Sequence, residues 1–247
     1  MDVGIVMIPR GAPAPGQAVI QSLTSVAKNV EELGFKGLWV TDAFARGSAT
    51  LDPLVLLSSL ASVTARIELG TCIVQLPLRH PVEHAHRVQS LNVLSSGRLR
   101  LGVGSGSTQA DFDAVQADYS ARFKTLPAYL DVMRRTWNGE GVYGDPLGIW
   151  PGTEGGPPVM LGAWRSERWI NLAANHCQGW IASGIHGSWE DVEQGVKMYR
   201  AAGGKRAILA NVFTDLRPSP EPLTMQHVPK ITLRCDPAQL EQIRALW

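Results

Sequence analysis

Apolar and polar positions along the chain repeat one arrangement, in which an amphipathic helix is followed by a short turn and a short apolar strand. The run VAKNVEELGFKGLWVT shows it first, with a helix over residues 26–33, a turn at Gly34 and a strand over residues 37–41. The same pattern predicts further pairs of helix and strand at residues 54–63 and 67–74, 84–94 and 98–103, 170–177 and 180–183, and 192–202 and 206–213. Two more apolar strands are predicted over residues 3–8 and 158–163.

Strands that alternate with helices predict parallel βαβ units with right-handed crossovers. The number of units in a chain of 247 residues favours one closed (β/α)8 barrel, and an open doubly wound sheet is the alternative. We therefore predict an α/β fold of the TIM-barrel type, built as a single domain over residues 1–247.

Two segments interrupt the repeat. Residues 107–158 hold a polar loop, a helix over residues 126–137 and a stretch rich in glycine and proline. They follow the fourth strand, so we predict an insertion over the mouth of the barrel. Residues 216–230 contain four prolines and predict an irregular loop, after which residues 230–234 predict a short eighth strand and Asp236 caps a last helix.

A run of glycines ends the fourth strand, in the sequence LGVGSGST. Gly104 and Gly106 allow a ligand to approach the backbone closely, and α/β proteins bind ligands at this end of parallel strands. The run lacks the later glycine of a dinucleotide-binding fingerprint, and polar residues follow it instead of an apolar helix. It predicts one wall of a ligand site, with a plain βα turn as the alternative.

The segment VMLGAWRSERWINLAA predicts a phosphate site. A strand ends there, Ser166 is placed to cap the helix that begins at the next residue, and Arg165 and Arg168 flank the free N–H groups. A capped helix with two solvated arginines explains the segment equally well. Trp164 lies on the loop after the strand and is a candidate cofactor contact.

Candidate acid–base residues follow two of the strands. Asp42, at the end of GLWVT, is placed to orient a ring or act as a base, and a turn or helix-capping aspartate is the alternative. In the loop LPLRHP, Arg79 or His80 is predicted to face a ligand unless that loop is simply solvated. His84 and His86 are two residues apart on a helix and share no face, which argues against a metal site.

Composition narrows the partners and the compartment. The net charge is +1 and both signs are interspersed, so nothing indicates nucleic acid or an anionic membrane. The sequence has no long apolar span and MDVGIVMIPRG is not a leader, so we expect no membrane anchor. Cys72, Cys177 and Cys235 lack metal-ligand spacing and predict a reduced, cytoplasmic protein, with Cys72 as inert packing rather than a nucleophile.

The run GTCIVQLPLRHPVEHAHRVQSLNVLSSGRLRLGVGSG resembles the bacterial luciferase-like monooxygenase family, whose pattern is strand, LPLRHP, helix, SxGR, strand and GxGxG. Weaker similarity covers ELGFKGLWVTD before it, and LPAYLDVMRRTW, PPVMLGAW and GWIASG after it. The resemblance implies a (β/α)8-type barrel that binds FMN or the deazaflavin coenzyme F420 at the carboxyl ends of its strands. It also implies a homodimer that performs hydride transfer or oxygen insertion.

Carried over to this sequence, the resemblance implies cofactor contacts at several positions. A non-prolyl cis peptide is expected beneath the isoalloxazine ring, near Cys72 and Ile73, with Asp42 beside the ring. The glycine run is expected along the side of the flavin, and the segment after the fifth predicted strand at its phosphate. These two groups are Gly104, Ser105 and Gly106, and Gly162, Ala163, Trp164, Arg165 and Ser166.

Three departures from the family pattern refine the prediction. Deazaflavin dehydrogenases of the family carry histidine where this chain has Ala43, and many members carry glutamate at the position of Ala128. Most members also continue into a final short strand, so we expect an abbreviated C-terminus. Because the histidine donor is absent, we favour FMN over the deazaflavin.

The preferred function is therefore a monooxygenase that takes reduced FMN from a flavin reductase and uses O2 to oxidise a small organic substrate. Asp42 and His80 are its candidate catalytic residues. The alternatives are a deazaflavin-dependent hydride-transfer enzyme and a flavin-binding protein without catalysis. An unrelated barrel hydrolase or isomerase would need an acid–base pair, for which the same two residues are the available candidates.

Overall fold

A computed structural model describes residues 2–8, 17–43, 45–164, 166–183, 188–210, 213–214 and 234–235. They divide into two compact units, Asp2–Val159 and the residues from Met160 onward, which we describe separately. Both units are built from parallel strands joined through helices, as the sequence pattern predicts.

The described residues of the N-terminal unit form five strands and five α-helices, with one 3-10 turn at Leu76–Leu78. The strands are β1 (Ile5–Met7), β2 (Gly37–Val40), β3 (Glu68–Thr71), β4 (Val74–Gln75) and β5 (Leu99–Gly104). The helices are α1 (Gln17–Glu32), α2 (Pro53–Ala61), α3 (Pro81–Leu94), α4 (Gln109–Ala114) and α5 (Arg122–Trp137). Strand β2 pairs with β1 and β3, and both β3 and β4 pair with β5, all in parallel. The predicted insertion is confirmed by α4 and α5, which both follow β5.

The C-terminal unit continues the alternation with β6 (Val159–Gly162), α6 (Glu167–His176), β7 (Gly179–Ser183), α7 (Trp189–Ala201) and β8 (Ala207–Ala210). Strand β7 pairs in parallel with both β6 and β8. Two short strands, β9 (Phe213–Thr214) and β10 (Arg234–Cys235), also pair in parallel. Of the predicted eighth strand, only residue 234 is described, and the predicted last helix lies outside the described residues. No helix of the described chain combines the length and apolar character that a membrane span needs.

One predicted strand is interrupted in the structure. The prediction of one strand over residues 67–74 was wrong, because a cis peptide bond between Cys72 and Ile73 separates β3 from β4. Of the strand predicted over residues 206–213, β8 covers residues 207–210 and β9 begins at residue 213, while residues 211 and 212 lie outside the described residues. Helix α1 begins well before the predicted residue 26, because the apolar stripe that includes Ala27 and Val30 extends toward its start.

The core of the N-terminal unit is organised around Trp39 on β2. Its side chain lies over glycines on the neighbouring strands, and a Cβ built at Gly70 would come within 2.2 Å of the Trp39 ring. Gly4 and Gly37 leave room for its Nε1 edge in the same way, each with a hypothetical Cβ 3.2 Å away. The indole therefore fills space that any larger side chain on these strands would occupy.

Polar contacts fix the amino ends of the strands. Arg98, just before β5, donates hydrogen bonds to the carbonyl oxygens of Ala61 (3.1 Å) and Thr64 (3.0 Å) at the end of α2. Glu31 on α1 accepts from the backbone N–H groups that lead into β3, including those of Ala65 and Ile67. Burial would raise the pKa of Glu31, but these N–H groups and Arg66 lower it overall.

Candidate functional site

The cis peptide bond between Cys72 and Ile73 lies where the family resemblance predicts it. The Ile73 side chain lies against the end of β5, where a Cβ on Gly104 would lie 2.7 Å from Ile73 Cδ1. The structure therefore brings Ile73 and Gly104 together. They can pack this closely because Gly104 has no side chain. Burial raises the pKa of the Cys72 thiol to about 12, so this side chain stays protonated and packs as an apolar group.

Asp42 lies directly after β2 and is buried. Its Oδ1 accepts from Arg79 Nη2 at 2.9 Å, and its Oδ2 lies 2.8 Å from Arg79 Nη1. Oδ2 also accepts the backbone N–H of Gln75 at 2.9 Å. Asp42 is thus the centre of a bidentate ion pair, and the helix-capping role belongs to Asp52, which accepts from the N–H groups of Leu54 and Val55.

Asp111 on α4 is a buried residue of this site that the sequence analysis did not single out. Its Oδ2 accepts from Arg46 Nη2 and Gln75 Nε2, each at 2.7 Å, and its Oδ1 accepts from Ala45 N at 3.1 Å. Burial would raise the pKa of this carboxyl, but the bonds from Arg46 and Gln75 outweigh it and lower the pKa. Asp111 is therefore a carboxylate that ties the loop after β2 to the loop after β5.

Gln75 at the end of β4 links the two carboxylates. Its backbone N–H binds Asp42 and its Nε2 binds Asp111, while its side-chain Oε1 is buried without a hydrogen-bond partner. The unpartnered oxygen faces the glycine run, because a Cβ built on Gly106 would lie 2.7 Å from it. Gly106 also has a φ of +79°, a conformation that glycine adopts readily. The sequence analysis missed Gln75 because its position in an apolar stretch carries no polar pattern.

These residues lie together in one cluster at the carboxyl ends of β2, β4 and β5. It combines an apolar side chain at Ile73, closely packed glycines at positions 104 and 106 and a buried acceptor at Gln75. Such a set is complementary to a flat, largely apolar ring that carries an N–H donor. The residues present therefore fit the flavin or deazaflavin ring that the family resemblance implies.

His80 occupies the N-cap position of α3, and Pro81 is the first helical residue, so the helix begins before the predicted residue 84. Its Nδ1 accepts from the Glu83 N–H at 3.5 Å, and its ring centroid lies 5.8 Å from that of Tyr143 in the insertion. The imidazole is exposed. Its predicted catalytic role stays a prediction.

His84 is buried on the next turn of α3. Burial lowers the pKa of its imidazole to about 3, with a further contribution from the charges of Arg79 and Arg87. It is therefore neutral at physiological pH, and its Nε2 has no hydrogen-bond partner. Among the described residues, no group of three His, Cys, Asp or Glu side chains is arranged to hold a metal ion.

A second arginine lies beside the glycine run. The guanidinium carbon of Arg122 is 3.7 Å from the ring centroid of Tyr119 and 4.2 Å from that of Phe123. The Tyr119 hydroxyl donates to the Ser107 carbonyl oxygen at 3.1 Å, which fixes this pair to the loop after β5. Arg122 Nε is buried without a partner, so this cation has an unused donor.

The predicted phosphate segment lies in the C-terminal unit. Ser166 occupies the N-cap position of α6, but its side chain makes no capping hydrogen bond, so that part of the prediction was wrong. The extended backbone of Ser166 instead presents its carbonyl oxygen to the N–H groups of Trp169 (3.0 Å) and Ile170 (2.9 Å). The hydroxyl is therefore not used by the helix.

The strand end before α6 is held by a tryptophan. Trp180 Nε1 donates to the carbonyl oxygen of Ala163 at 3.1 Å, one residue beyond Gly162 at the end of β6. Trp164 is half-buried, and Arg165 lies outside the described residues. The Arg168 guanidinium carbon is 5.7 Å from the Trp169 ring centroid on the helix surface.

Comparison with known proteins bears on the same regions. A family model described as luciferase-like monooxygenase matches residues 1–222. The 4-hydroxyprotoasukamycin monooxygenase of Streptomyces nodosus subsp. asukaensis is 33% identical over 127 residues, which cover 51% of this chain and 34% of that protein. A putative coenzyme F420-dependent oxidoreductase of Mycobacterium tuberculosis is 28% identical over 222 residues, which cover 77% of this chain and 60% of that protein.

Solved structures show the same fold. The crystal structure of monooxygenase RslO1 from Streptomyces bottropensis matches with a TM-score of 0.74 at 22% identity, over 87% of this chain and 72% of that chain. The predicted α/β fold of the luciferase-like TIM-barrel type is thereby confirmed. The curated relatives that are 32% or 33% identical over the aligned residues are longer proteins, and this chain spans no more than 64% of their length. On these matches, the chain belongs to the luciferase-like monooxygenase family.

Proposed function

We propose that this chain is a monooxygenase that binds reduced FMN at the ends of β2, β4 and β5 and uses O2 to oxidise a small organic substrate. The family comprises oxidoreductases and monooxygenases that use flavin or coenzyme F420. The choice of FMN and of oxygen chemistry is specific to this proposal. Bound reduced FMN would supply the electrons for that chemistry.

The arrangement of Ile73, Gln75 and the glycine run is the observation that carries the proposal. Ile73 gives the ring an apolar support, and the missing side chains of Gly104 and Gly106 leave room for Ile73 and for the Gln75 side chain, respectively. The buried Gln75 oxygen offers one acceptor in otherwise apolar surroundings. A site of this composition excludes water from one face of a ring and fixes the ring's orientation.

Asp42 and His80 have different roles in this proposal. Both oxygens of Asp42 are engaged by Arg79, so the proposed role of Asp42 is to position the loop beside the ring. His80 is exposed and uses only its Nδ1, in a long contact to the Glu83 N–H, so it is the candidate to exchange a proton with substrate. A His80→Gln variant is expected to lower kcat while leaving FMN affinity within about twofold. Unchanged kcat would remove His80 from the mechanism.

The phosphate of FMN is proposed to bind at Gly162, Ala163, Trp164, Arg165 and Ser166. The unused Ser166 hydroxyl and the N–H groups of the first turn of α6 support this assignment. Arg165→Ala is expected to weaken FMN binding about tenfold or more and to leave riboflavin binding nearly unchanged. Lys197→Ala, which removes an exposed cation on α7, is the matched control. Equal weakening of FMN and riboflavin by Arg165→Ala would contradict the assignment.

Arg122 is a second candidate for the anionic end of the cofactor. Its unpartnered Nε and its stacking between Tyr119 and Phe123 leave a fixed positive charge next to the glycine run. Arg122→Met should weaken FMN more than riboflavin if the phosphate lies here instead. Comparison of the Arg165 and Arg122 variants therefore tests which of these two arginines binds the phosphate of FMN.

Ala43 is the residue that favours FMN over the deazaflavin. Its side chain is a buried methyl group, which cannot donate the proton that a histidine at this position would supply. Two alternatives remain within the family: a deazaflavin-dependent hydride-transfer enzyme, and a flavin-binding protein without catalysis. The first is supported by the F420-dependent relative and the second by the absence of histidine here.

Turnover with a panel of aldehydes, ketones and aromatic substrates distinguishes these functions. Reduced FMN with O2 is expected to give an oxygenated product, and reduced coenzyme F420 without O2 to give none. Hydride transfer from reduced F420 would establish the first alternative. Flavin binding without product under either condition would establish the second. The same proposal includes a cytoplasmic homodimer and a partner flavin reductase, and sedimentation of the purified protein tests the dimer.

A further inference from the structure

We propose that Gln75 recognises the imide N–H of the cofactor ring, the group at N3, through its side-chain oxygen. This inference rests on the proposed flavin or deazaflavin site and adds a specificity-determining residue to it. The geometry that points to it is a clamped amide with one unused acceptor, which faces the glycine run at the carboxyl end of β5.

The orientation of the Gln75 amide is fixed by its partner. Gln75 Nε2 lies 2.7 Å from Asp111 Oδ2, and the same oxygen accepts from Arg46. A carboxylate paired with a guanidinium only accepts hydrogen bonds, so the amide nitrogen must be the atom that faces Asp111. Gln75 Nε2 also lies 3.4 Å from the Asp42 carbonyl oxygen. Both amide hydrogens are therefore directed away from the glycine run, and Oε1 is directed toward it.

Because Gln75 is almost completely buried, leaving its Oε1 without a hydrogen bond costs free energy. The residue is 2% exposed, and no group of the described chain donates to this oxygen. Buried acceptors in native proteins are almost always paired. A Cβ built on Gly106 would meet Oε1 and the Phe112 ring, and neither Gly106 nor Phe112 has a side-chain donor for this oxygen. A donor from a bound molecule would satisfy the oxygen.

The chemistry of the ring selects which donor this is. Flavins and deazaflavins carry one N–H at N3 in both redox states, whereas position 5 bears an N–H only in reduced flavin and is a carbon in the deazaflavin. Because both amide hydrogens of Gln75 are directed to acceptors, the amide cannot rotate when the group at position 5 of the ring changes. A fixed acceptor therefore suits the permanent donor at N3.

The test compares FMN with its N3-methyl derivative, which lacks the donor. Wild-type protein is expected to bind FMN about tenfold or more tightly than N3-methyl-FMN, the effect of one buried hydrogen bond. Gln75→Ala should reduce this preference to less than about threefold, and Gln75→Met, which keeps the length of the side chain, should do the same. Arg46→Lys is the matched control, because it disturbs Asp111 without touching Oε1, and it should keep the preference.

A measurement on the wild-type protein covers the case in which neither Gln75 variant folds. In FMN labelled with 15N at N3, the N3–H resonance of the complex should persist at neutral pH and exchange at least tenfold more slowly than in free FMN. Exchange as fast as in free FMN would overturn the proposal. A preference for FMN that both folded Gln75 variants retain would overturn it as well.

Two further outcomes separate this inference from the function on which it rests. If wild-type protein binds FMN but does not discriminate against the N3-methyl derivative, the role of Gln75 fails and the flavin site stands. If it binds neither FMN nor the deazaflavin, the proposed function itself fails. A Gln75-dependent preference for reduced FMN over reduced 5-deaza-FMN, without discrimination at N3, would overturn the assignment to N3.

Discussion

Removal of Arg79 should expose how strongly the site depends on the ion pair with Asp42. In the Arg79→Met variant, the aliphatic part of the side chain is largely kept while the charge is lost. The Asp42 carboxylate is 3% exposed, and it would retain only the backbone N–H of Gln75 as a partner. The variant therefore leaves a buried negative charge without its counter-ion.

The size of the effect follows from what remains around Asp42. Breaking a buried ion pair by removal of one partner costs about 3–5 kcal/mol, because the other charge stays desolvated. The Gln75 N–H remains, and Arg79 is 17% exposed, so water reaches its place in the variant. We therefore expect the free energy of unfolding to fall by about 3 kcal/mol, at the lower end of this range. Replacement of Asp42 as well, by Asn, should restore about 1–2 kcal/mol, because the unpaired charge is then removed.

Urea denaturation of the wild type, Arg79→Met, Asp42→Asn and the double variant measures these quantities, with tryptophan fluorescence as the probe. The four m-values should agree, which keeps the comparison of free energies valid. A loss below about 1 kcal/mol for Arg79→Met would refute the reasoning. So would single effects that add to the effect of the double variant within about 0.5 kcal/mol, since residues in direct contact should be coupled.

Other expected outcomes concern the neighbouring elements. Because the pKa of His84 is lowered in the folded protein, the unfolded chain binds a proton at His84 more readily. This difference should lower the free energy of unfolding of the wild type by about 1.4 kcal/mol between pH 7.5 and pH 5.5. Urea titrations at these two pH values should show that His84→Leu loses this part of the pH dependence. Gly106→Ala should lower the melting temperature and weaken FMN binding at least tenfold, because its Cβ would lie 2.7 Å from Gln75 Oε1 at a φ of +79°; wild-type affinity would contradict the placement of the ring. Trp180→Phe removes the hydrogen bond to Ala163 and should weaken FMN binding about threefold to tenfold without changing riboflavin binding. An equal loss of affinity for both ligands would show that this hydrogen bond does not support phosphate binding.

The sequence alone predicts the features that depend on local pattern. The alternation of apolar stripes and short strands predicts the parallel α/β architecture. The family resemblance places the cis peptide at Cys72 and Ile73, where the structure has it. Each of these signals is carried by consecutive residues, so a single chain is enough to detect it.

The contacts that define the site depend on residues far apart in the chain. Asp111 meets Gln75 and Arg46 across 36 and 65 positions, and no periodicity connects them. Gln75 reads as one more residue of an apolar stretch until the fold shows which group lies beside its amide. The apolar pattern by itself does not indicate the break between β3 and β4, because apolar residues continue through it, and only the family resemblance points to the cis peptide at that position. His80 was read as a ligand-facing residue, and the structure adds its position at the start of α3.

Titration of the purified protein with FMN and with coenzyme F420, each oxidised and reduced, tests the central claim most directly. Tryptophan fluorescence reports binding, since Trp39 and Trp180 lie on strands of the two units. The account predicts saturable quenching by reduced FMN with a Kd well below about 1 mM, equivalent to more than about 4 kcal/mol of binding free energy, and weaker binding of F420. The absence of saturable binding by either cofactor in that range would contradict it.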